Sequence, residues 1–305
     1  MTQRSDRAFN FGFNCGSYFG RTSGGTPFRT VVAAAAAVAL AAFAGCAAHR
    51  TPEDDVLRAR RVVNDLFNAR TFAFEEPLEL RTTGPLAVDI DNFSGSVTVR
   101  ADRDVDRTVV EVRRIASHGL GRWVESVEAL DDASWTASLA EREGGGEMLT
   151  ILTDTPNPER HFHSLEILVV TPALDAVKIR TKRGDVTVVE NQGPVEIETT
   201  RGNVRMMTPW PMTGPMTIVT NEGAIDYRVR GESKGVFDCE SIGGEVRQRC
   251  EFGKWRALDP ENDHDRFLAV LNEGTNPVVL RTTVGNIRVA VVPDPVRVGS
   301  MIVDP

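Results

Sequence analysis

The sequence predicts an all-β protein: a single-chain β-solenoid or β-helix-like stack of strand-turn-strand repeats with a short N-terminal helix. Two observations predict this fold. A ten-residue phrase built around one glycine occurs six times, and apolar residues alternate with polar ones on both sides of that glycine. Alternation with a period of two is typical of a strand with one buried face. A third observation, an apolar segment followed by a cysteine near the N-terminus, indicates export.

The repeated phrase reads apolar, any, apolar, any, Thr/Ser/Asn, any, any, Gly, a small or polar residue, apolar. Its first copy runs from Val88 to Val97. The glycine stands where a tight turn is expected to need positive φ, a conformation that is costly for any residue with a Cβ. The Thr, Ser or Asn three residues earlier is expected to bond backbone groups of the turn. The predicted turn glycines are Gly95, Gly184, Gly202, Gly223, Gly244 and Gly285.

The spacing of the glycines favours stacked coils. From Gly184 to Gly244 the intervals are 18, 21 and 21 residues, which lies within the range of solenoid coils. A coil of this size is too thin to bury its own apolar face, so successive coils are expected to stack, with strands about 4.8 Å apart. The 41-residue step from Gly244 to Gly285 equals about two periods and contains an insertion. A β-sandwich with similar hairpins is the alternative.

The N-terminal segment predicts a signal peptide. Its apolar run, residues 31–44, is shorter than the roughly 20 residues of a membrane-spanning helix. The run ends at Phe43-Ala44-Gly45-Cys46, which resembles the bacterial lipobox and implies that the Cys46 thiol carries a lipid. An ordinary secretory signal and a weak transmembrane helix are the alternatives. The predicted localisation is the cell envelope, as an exported, membrane-anchored lipoprotein.

Three domains are predicted from these signals. Residues 1–45 form the leader and signal peptide, 46–70 a lipid-anchored tether with a short helix, and 71–300 the β-strand repeat domain. Thr51 as a cap and Pro52 in the first turn predict that the helix begins at residue 51 and continues to about residue 68. Between residues 102 and 172 the repeat lapses. Two strands joined at Gly144-Gly145-Gly146 are expected there, preceded by a helix or an irregular excursion.

Composition limits the partners and the redox chemistry. The chain has 35 basic and 43 acidic residues and no block of basic residues mixed with aromatics, so nucleic acid is excluded as a partner. Of four cysteines, Cys15 leaves with the leader and Cys46 is the lipid site. The oxidising compartment would allow Cys239 and Cys250 to form a disulfide. Two small buried hydrophobic residues are the alternative.

From Thr71 to Val296 the chain resembles the bacterial putative-adhesin families of unknown function that are built from β-strand repeats. The resemblance rests on the phrase T-x-x-G-D/N-V, present at residues 181–186 and 199–204, and on the six copies of the template. Many such proteins are exported or lipid-anchored envelope proteins, in agreement with the leader. The family name implies adhesion and says little about the ligand.

Three groups of residues are candidate sites. His161 and His163 alternate on a strand, but zinc needs a third protein ligand. Acidic residues alternate in the insertion, a pattern typical of calcium loops: Asp259, Glu261, Asp263 and Asp265. Their spacing lacks the glycine and the distal glutamate of an EF-hand. The residues after the glycines are expected to form a column along the stack, and its acids suit a carbohydrate-processing site: Asp185, Asn203, Ala224, Glu245 and Asn286.

The function predicted from the sequence is non-enzymatic. We expect a cell-envelope lipoprotein that acts as a β-solenoid scaffold or an adhesin-like binding surface, with no catalytic residue, metal or cofactor. The expected partners are the membrane, through the N-terminal lipid anchor, and an envelope polysaccharide or protein. The alternatives are a carbohydrate-processing enzyme on a β-helix scaffold and an envelope signalling accessory protein.

Overall fold

The structure is a computed structural model that describes residues 70–118, 122–142, 145–156, 162–259 and 263–297. The predicted leader, the predicted lipid site Cys46 and the helix predicted to begin at Thr51 lie outside these ranges. Within them the chain is almost entirely β-structure, which confirms the all-β prediction. One short helix, α1 (Trp123–Glu128), is followed by a 3-10 turn (Ala129–Asp132). No helix in these ranges is long and apolar enough to span a membrane.

Twenty strands are formed by the described residues. They are β1 (Arg70–Phe74), β2 (Leu78–Leu80), β3 (Leu86–Asn92), β4 (Val97–Ala101), β5 (Thr108–Ser117), β6 (Ser134–Glu141), β7 (Glu147–Asp154), β8 (His163–Thr171), β9 (Leu174–Arg183), β10 (Val186–Val189), β11 (Val195–Arg201), β12 (Val204–Met207), β13 (Met216–Glu222), β14 (Ile225–Val229), β15 (Gly235–Ser241), β16 (Val246–Cys250), β17 (Trp255–Ala257), β18 (Arg266–Leu271), β19 (Pro277–Val284) and β20 (Ile287–Val291).

The strands form two sheets, each of ten strands. Sheet A has the order β1-β5-β8-β4-β10-β12-β14-β20-β16, with β2 paired to β5. Sheet B has the order β17-β18-β15-β19-β13-β11-β9-β3-β7-β6. Each copy of the repeated phrase places its first strand in sheet B and its second in sheet A. Neighbouring copies pair in parallel in both sheets, so the solenoid-like stack is confirmed.

The coils do not stack in chain order at one end. The sixth copy, β19 and β20, lies between the fourth copy and the fifth, because β19 pairs with both β13 and β15. The chemistry of β16 explains this order. At a position that faces the core, β16 carries the exposed Gln248, whereas its partner in β20 is the fully buried Val289. A polar residue suits a strand at the end of the stack, and an apolar one suits the interior.

Both long insertions extend the ends of the stack. In the first, β6 and β7 form the predicted hairpin, and β5 and β8 pair antiparallel in sheet A. The excursion expected before the hairpin is α1 with its 3-10 turn, whose Ala129 is buried. In the second, β17 and β18 extend sheet B beyond β15, and Trp255 packs edge-on against Phe237 with ring centroids 4.8 Å apart. The second insertion therefore closes one end of the core.

The core lies between the sheets and is built from the predicted alternation. Inward residues of neighbouring coils are in register, as for Ile179, Ile197 and Ile218. Each of these three side chains is fully buried, which contributes roughly 1.5–3 kcal/mol per side chain. Outward residues of the same strands therefore form straight rows across each sheet, and these rows define the surfaces available to a partner.

Candidate functional site

The turn glycines form a column in which each backbone touches the next. Positive φ is confirmed at Gly95, Gly184, Gly202 and Gly285, where φ lies between 121° and 154°. At Gly223 and Gly244 the prediction of positive φ is wrong, since neither residue adopts a left-handed φ. A different constraint selects glycine at these two positions.

Close approach between coils is that constraint. A Cβ added to Gly223 would lie 2.0 Å from the carbonyl oxygen of Gly202, and one added to Gly244 would lie 2.1 Å from that of Gly285. A Cβ added to Gly202 would likewise lie 2.0 Å from the carbonyl oxygen of Gly184. Because no real Cβ can approach a carbonyl oxygen so closely, each turn requires glycine whatever its φ. The glycine column is therefore structural.

Hydroxyl groups three residues before the glycines connect the coils. Ser241 Oγ donates a hydrogen bond to the carbonyl oxygen of Gly285 at 2.6 Å. Thr220 and Thr282 each donate a hydrogen bond to the turn-glycine carbonyl of the adjacent coil, at 3.1 and 2.9 Å. The prediction placed these bonds within one turn, an arrangement that holds for Thr181, which donates to the carbonyl of Arg183. The other three bonds stabilise the contact between turns instead.

The column of residues after the glycines is also explained by structure. Asp185 Oδ1 accepts a hydrogen bond from the backbone N–H of Asn203 at 2.7 Å. Asn203 Oδ1 accepts from the N–H of Ala224, and Asn286 Oδ1 from the N–H of Glu245, both at 2.9 Å. These side chains satisfy backbone donors of the adjacent turn that would otherwise lack a partner.

Asp185 and Glu245 are too far apart to act as a glycosidase pair. Four steps separate their strands in sheet A, from β10 through β12, β14 and β20 to β16. At about 4.8 Å per step, the strands are roughly 19 Å apart. Paired catalytic carboxyl groups lie about 5–9.5 Å apart. The acids that the sequence suggested for carbohydrate processing therefore cannot cooperate in that reaction.

The outer face of sheet B carries rows of charged side chains that are in register from strand to strand. Arg180 stands in register between Asp91 and Glu198, so charge alternates along this row. In the next row Lys178 forms an ion pair with Glu196 at 2.7 Å. We call the surface formed by the outward residues of β3, β9, β11 and β13 the sheet B face. It was not identified from the sequence, although the outward positions follow from the alternation.

Two open depressions lie on the sheet B face. One of about 510 Å³ is lined by Arg180, Lys182, Thr200 and Asn221 among others. The second, of about 380 Å³, includes Lys178 and residues of the neighbouring rows. The Nε of Arg180 is buried and has no hydrogen-bond partner in the described part of the chain. A desolvated donor beside an open depression is a group that a ligand oxygen could satisfy.

The metal candidates do not assemble into a site within the described residues. His163 is buried on β8, and the structure places His118 beside it, with ring centroids 5.6 Å apart. The pairing of β5 with β8 produces this contact, which sequence distance had concealed. His161 and Glu261 lie outside the described ranges. Among the residues described, no three His, Cys, Asp or Glu side chains are arranged to hold a metal ion.

The two remaining cysteines are separate thiols in the structure. Cys239 lies on β15 and is fully buried, while Cys250 lies on β16 and is half-buried. Burial raises the pKa of the Cys239 thiol far above its ordinary value of 9.0. Burial also raises the pKa of the Cys250 thiol. Both thiols are free in the structure, and the disulfide stays a prediction.

The match to a protein-family model agrees with this fold. Residues 164–290 match the family model described as Toastrack DUF4097, which confirms the resemblance to a family of β-strand repeats. A putative cell adhesion protein from Clostridium sporogenes is 11% identical, with 73% of this chain and 99% of that chain covered and a TM-score of 0.47. A putative adhesin from Bacteroides fragilis is 14% identical, with coverage of 72% and 96% and a TM-score of 0.26. No curated protein matches the sequence.

Proposed function

From the premise that residues 164–290 match the Toastrack family, we propose that the protein is a non-enzymatic, lipid-anchored scaffold of the bacterial cell envelope. In this function the solenoid presents the sheet B face to an envelope polysaccharide or protein, as an adhesin-like surface. The lipid on Cys46 provides the membrane contact, and the export signal in residues 1–45 provides the localisation.

The observation that supports binding is the sheet B face itself. Its side chains repeat at the spacing of the strands, about 4.8 Å, on coils held by the buried core and the glycine column. A surface whose side chains are already ordered loses little conformational entropy when a partner binds. Alternating Asp, Arg and Glu side chains present both donors and acceptors. Such a surface suits a hydrated polar partner, because every hydroxyl group can both donate and accept a hydrogen bond.

The anchor is tested by metabolic palmitate labelling followed by membrane fractionation. We expect the expressed protein to take up label and to sediment with membranes. A Cys46→Ala variant should lose both, since alanine has no thiol to which the lipid can be attached. Label that persists in the variant, or a wild-type protein without label, would contradict the lipoprotein assignment and leave a cleaved secreted protein or a spanning anchor.

The binding surface is tested by co-sedimentation with isolated envelope polysaccharide. We expect Arg180→Glu to weaken binding by about tenfold or more, because it removes a charge-assisted donor from the larger depression. Arg247→Glu is the matched control, as Arg247 is an exposed arginine on sheet A that pairs with Glu245. If both variants bind as the wild type does, the sheet B face is not the polysaccharide surface. Envelope protein would then be tested with the same pair of variants.

A further inference from the structure

Strand β6 is the edge of sheet B and leaves a row of backbone groups without a strand partner. It pairs on one side only, with β7. The N–H of Arg142 donates a hydrogen bond to the carbonyl of Gly146. In an antiparallel pair such hydrogen-bonded positions recur at every second residue, so the residues of β6 that bond to β7 are Ser134, Thr136, Ser138 and Ala140.

The backbone N–H and C=O groups of the alternate residues therefore point away from the sheet. These residues are Trp135, Ala137, Leu139 and Glu141. Within the described residues no other backbone group bonds them. Their position leaves four donors and four acceptors in one line, at the spacing that an added strand would match.

Natural edge strands usually carry a device that prevents such pairing, for example a charge, a proline or a bulge. Strand β6 has none of these over the seven residues from Ser134 to Ala140, and its pairing with β7 is regular throughout. At eight residues it is also longer than the other edge strands described, which are the five-residue β1 and β16 and the three-residue β2 and β17. The open edge of β6 therefore offers the most extensive site for strand addition in the described chain.

The side chains of β6 are suited to a second copy of the same strand. Trp135, Ala137 and Leu139 pack against the core but are only partly buried. In an antiparallel pair centred on Ala137, Trp135 would lie opposite Leu139 of the partner subunit, an aromatic and aliphatic pair of the favourable kind. Thr136 would lie opposite Ser138 of the partner subunit. The one charged residue, Glu141, would meet no like charge.

We propose that two copies of this protein associate through β6, antiparallel about a two-fold axis at Ala137, so that the two sheets B form one continuous sheet. The same surface patch is used by both subunits, which is the requirement for a closed dimer. Trp135, Ala137 and Leu139 of each subunit bring three donors and three acceptors to the shared edge, so six backbone hydrogen bonds can form, and the half-buried apolar row of each subunit is covered by the other.

Sedimentation velocity of the full chain in mild detergent tests the dimer, over about 1–100 μM, the range in which a weak specific dimer dissociates. We expect a concentration-dependent dimer in the wild type. Ala137→Pro should abolish it, because proline removes the free-edge N–H without removing a bond to β7. Phe72→Pro is the matched control and should leave the dimer intact. The N–H of Glu75 bonds the carbonyl of Val112 on the β5 side, and Phe72 lies an odd number of residues away, so its N–H is at the free edge of β1.

Two further measurements keep the test decisive if the proline disturbs folding. The double variant Thr136→Lys, Ser138→Lys should weaken the dimer at least tenfold, because the exposed lysines would face one another across the axis. Hydrogen exchange of the wild type should show protection of the Trp135 and Leu139 amides that increases with concentration. The Thr136 and Ser138 amides, already bonded to β7, should not change. A monomer throughout the range, or a dimer without this alternating pattern, overturns the proposal.

Discussion

Replacing Gly202 with valine should lower the free energy of unfolding by about 3 kcal/mol or more. Two effects add at this position. Gly202 has φ of 154°, at the edge of the range that side-chain-bearing residues rarely adopt, and its added Cβ would lie 2.0 Å from the carbonyl oxygen of Gly184. The clash involves backbone on both sides, so no side chain can move to relieve it. Thermal and urea unfolding of the variant and the wild type would measure the loss.

Gly223→Ala separates the two effects. Gly223 has no left-handed φ, but its Cβ would lie 2.0 Å from the carbonyl of Gly202. If contact between coils selects glycine, this alanine should also destabilise the fold by about 2 kcal/mol or more. Gly84→Ala is the control, since a Cβ there meets nothing within 4 Å. A Gly223→Ala variant as stable as Gly84→Ala would show that the close packing of the glycine column is wrong.

Replacing Phe237 with alanine should cost about 3–5 kcal/mol. Phe237 is 1% exposed and lies at the end of the core, where its ring contacts Tyr227 and packs edge-on against Trp255. Its removal leaves a cavity between the last coil and the insertion that covers it. Because β18 pairs directly with the strand that carries Phe237, we expect loosening of this end before the rest of the stack.

Phe252→Ala is the matched control for that prediction. Phe252 belongs to the same insertion, but its side chain is 55% exposed, so its loss should change stability by only about 0.5 kcal/mol or less. Urea unfolding of both variants, read from tryptophan fluorescence, makes the comparison. Equal effects of the two substitutions would mean that the aromatic contacts around Phe237 do not close the core.

These predictions bear on the proposed function because the binding surface depends on the stack. The sheet B face is an array of side chains whose order derives from the parallel register of coils, not from a local loop. Destabilised coils would therefore be expected to weaken binding together with stability. Arg180→Glu should weaken binding alone, because Arg180 faces outward from the register that the core residues set.

For the histidines and the cysteines, residue patterns alone do not show which side chains meet in the folded chain. The alternation of His161 and His163 suggested one shared face, but a ligand set depends on which third residue approaches it. The structure brings His118 to His163 through the pairing of β5 with β8. The two cysteines are near in sequence but occupy different sheets, with Cys239 on β15 and Cys250 on β16.

The amino-acid pattern was sufficient to predict the strand-turn-strand unit, the residues that face the core and the six turn glycines. These features are local: alternation states which side chains share a face, and a glycine marks a backbone that tolerates no Cβ. The sequence also marks the strand at the end of the stack. Strand β16 has the polar Gln248 at a core-facing position where β20 has Val289.

Packing of the whole chain sets the order of the coils, the partners of the turn hydroxyls and the open edge of β6. Gly285 lies between Gly223 and Gly244 in space, and Ser241 bonds a carbonyl 44 residues away. These three features have one common cause. A repeated phrase makes every coil compatible with every other, so the choice of neighbour depends on the ends of the stack, where long insertions cover one edge and leave another exposed.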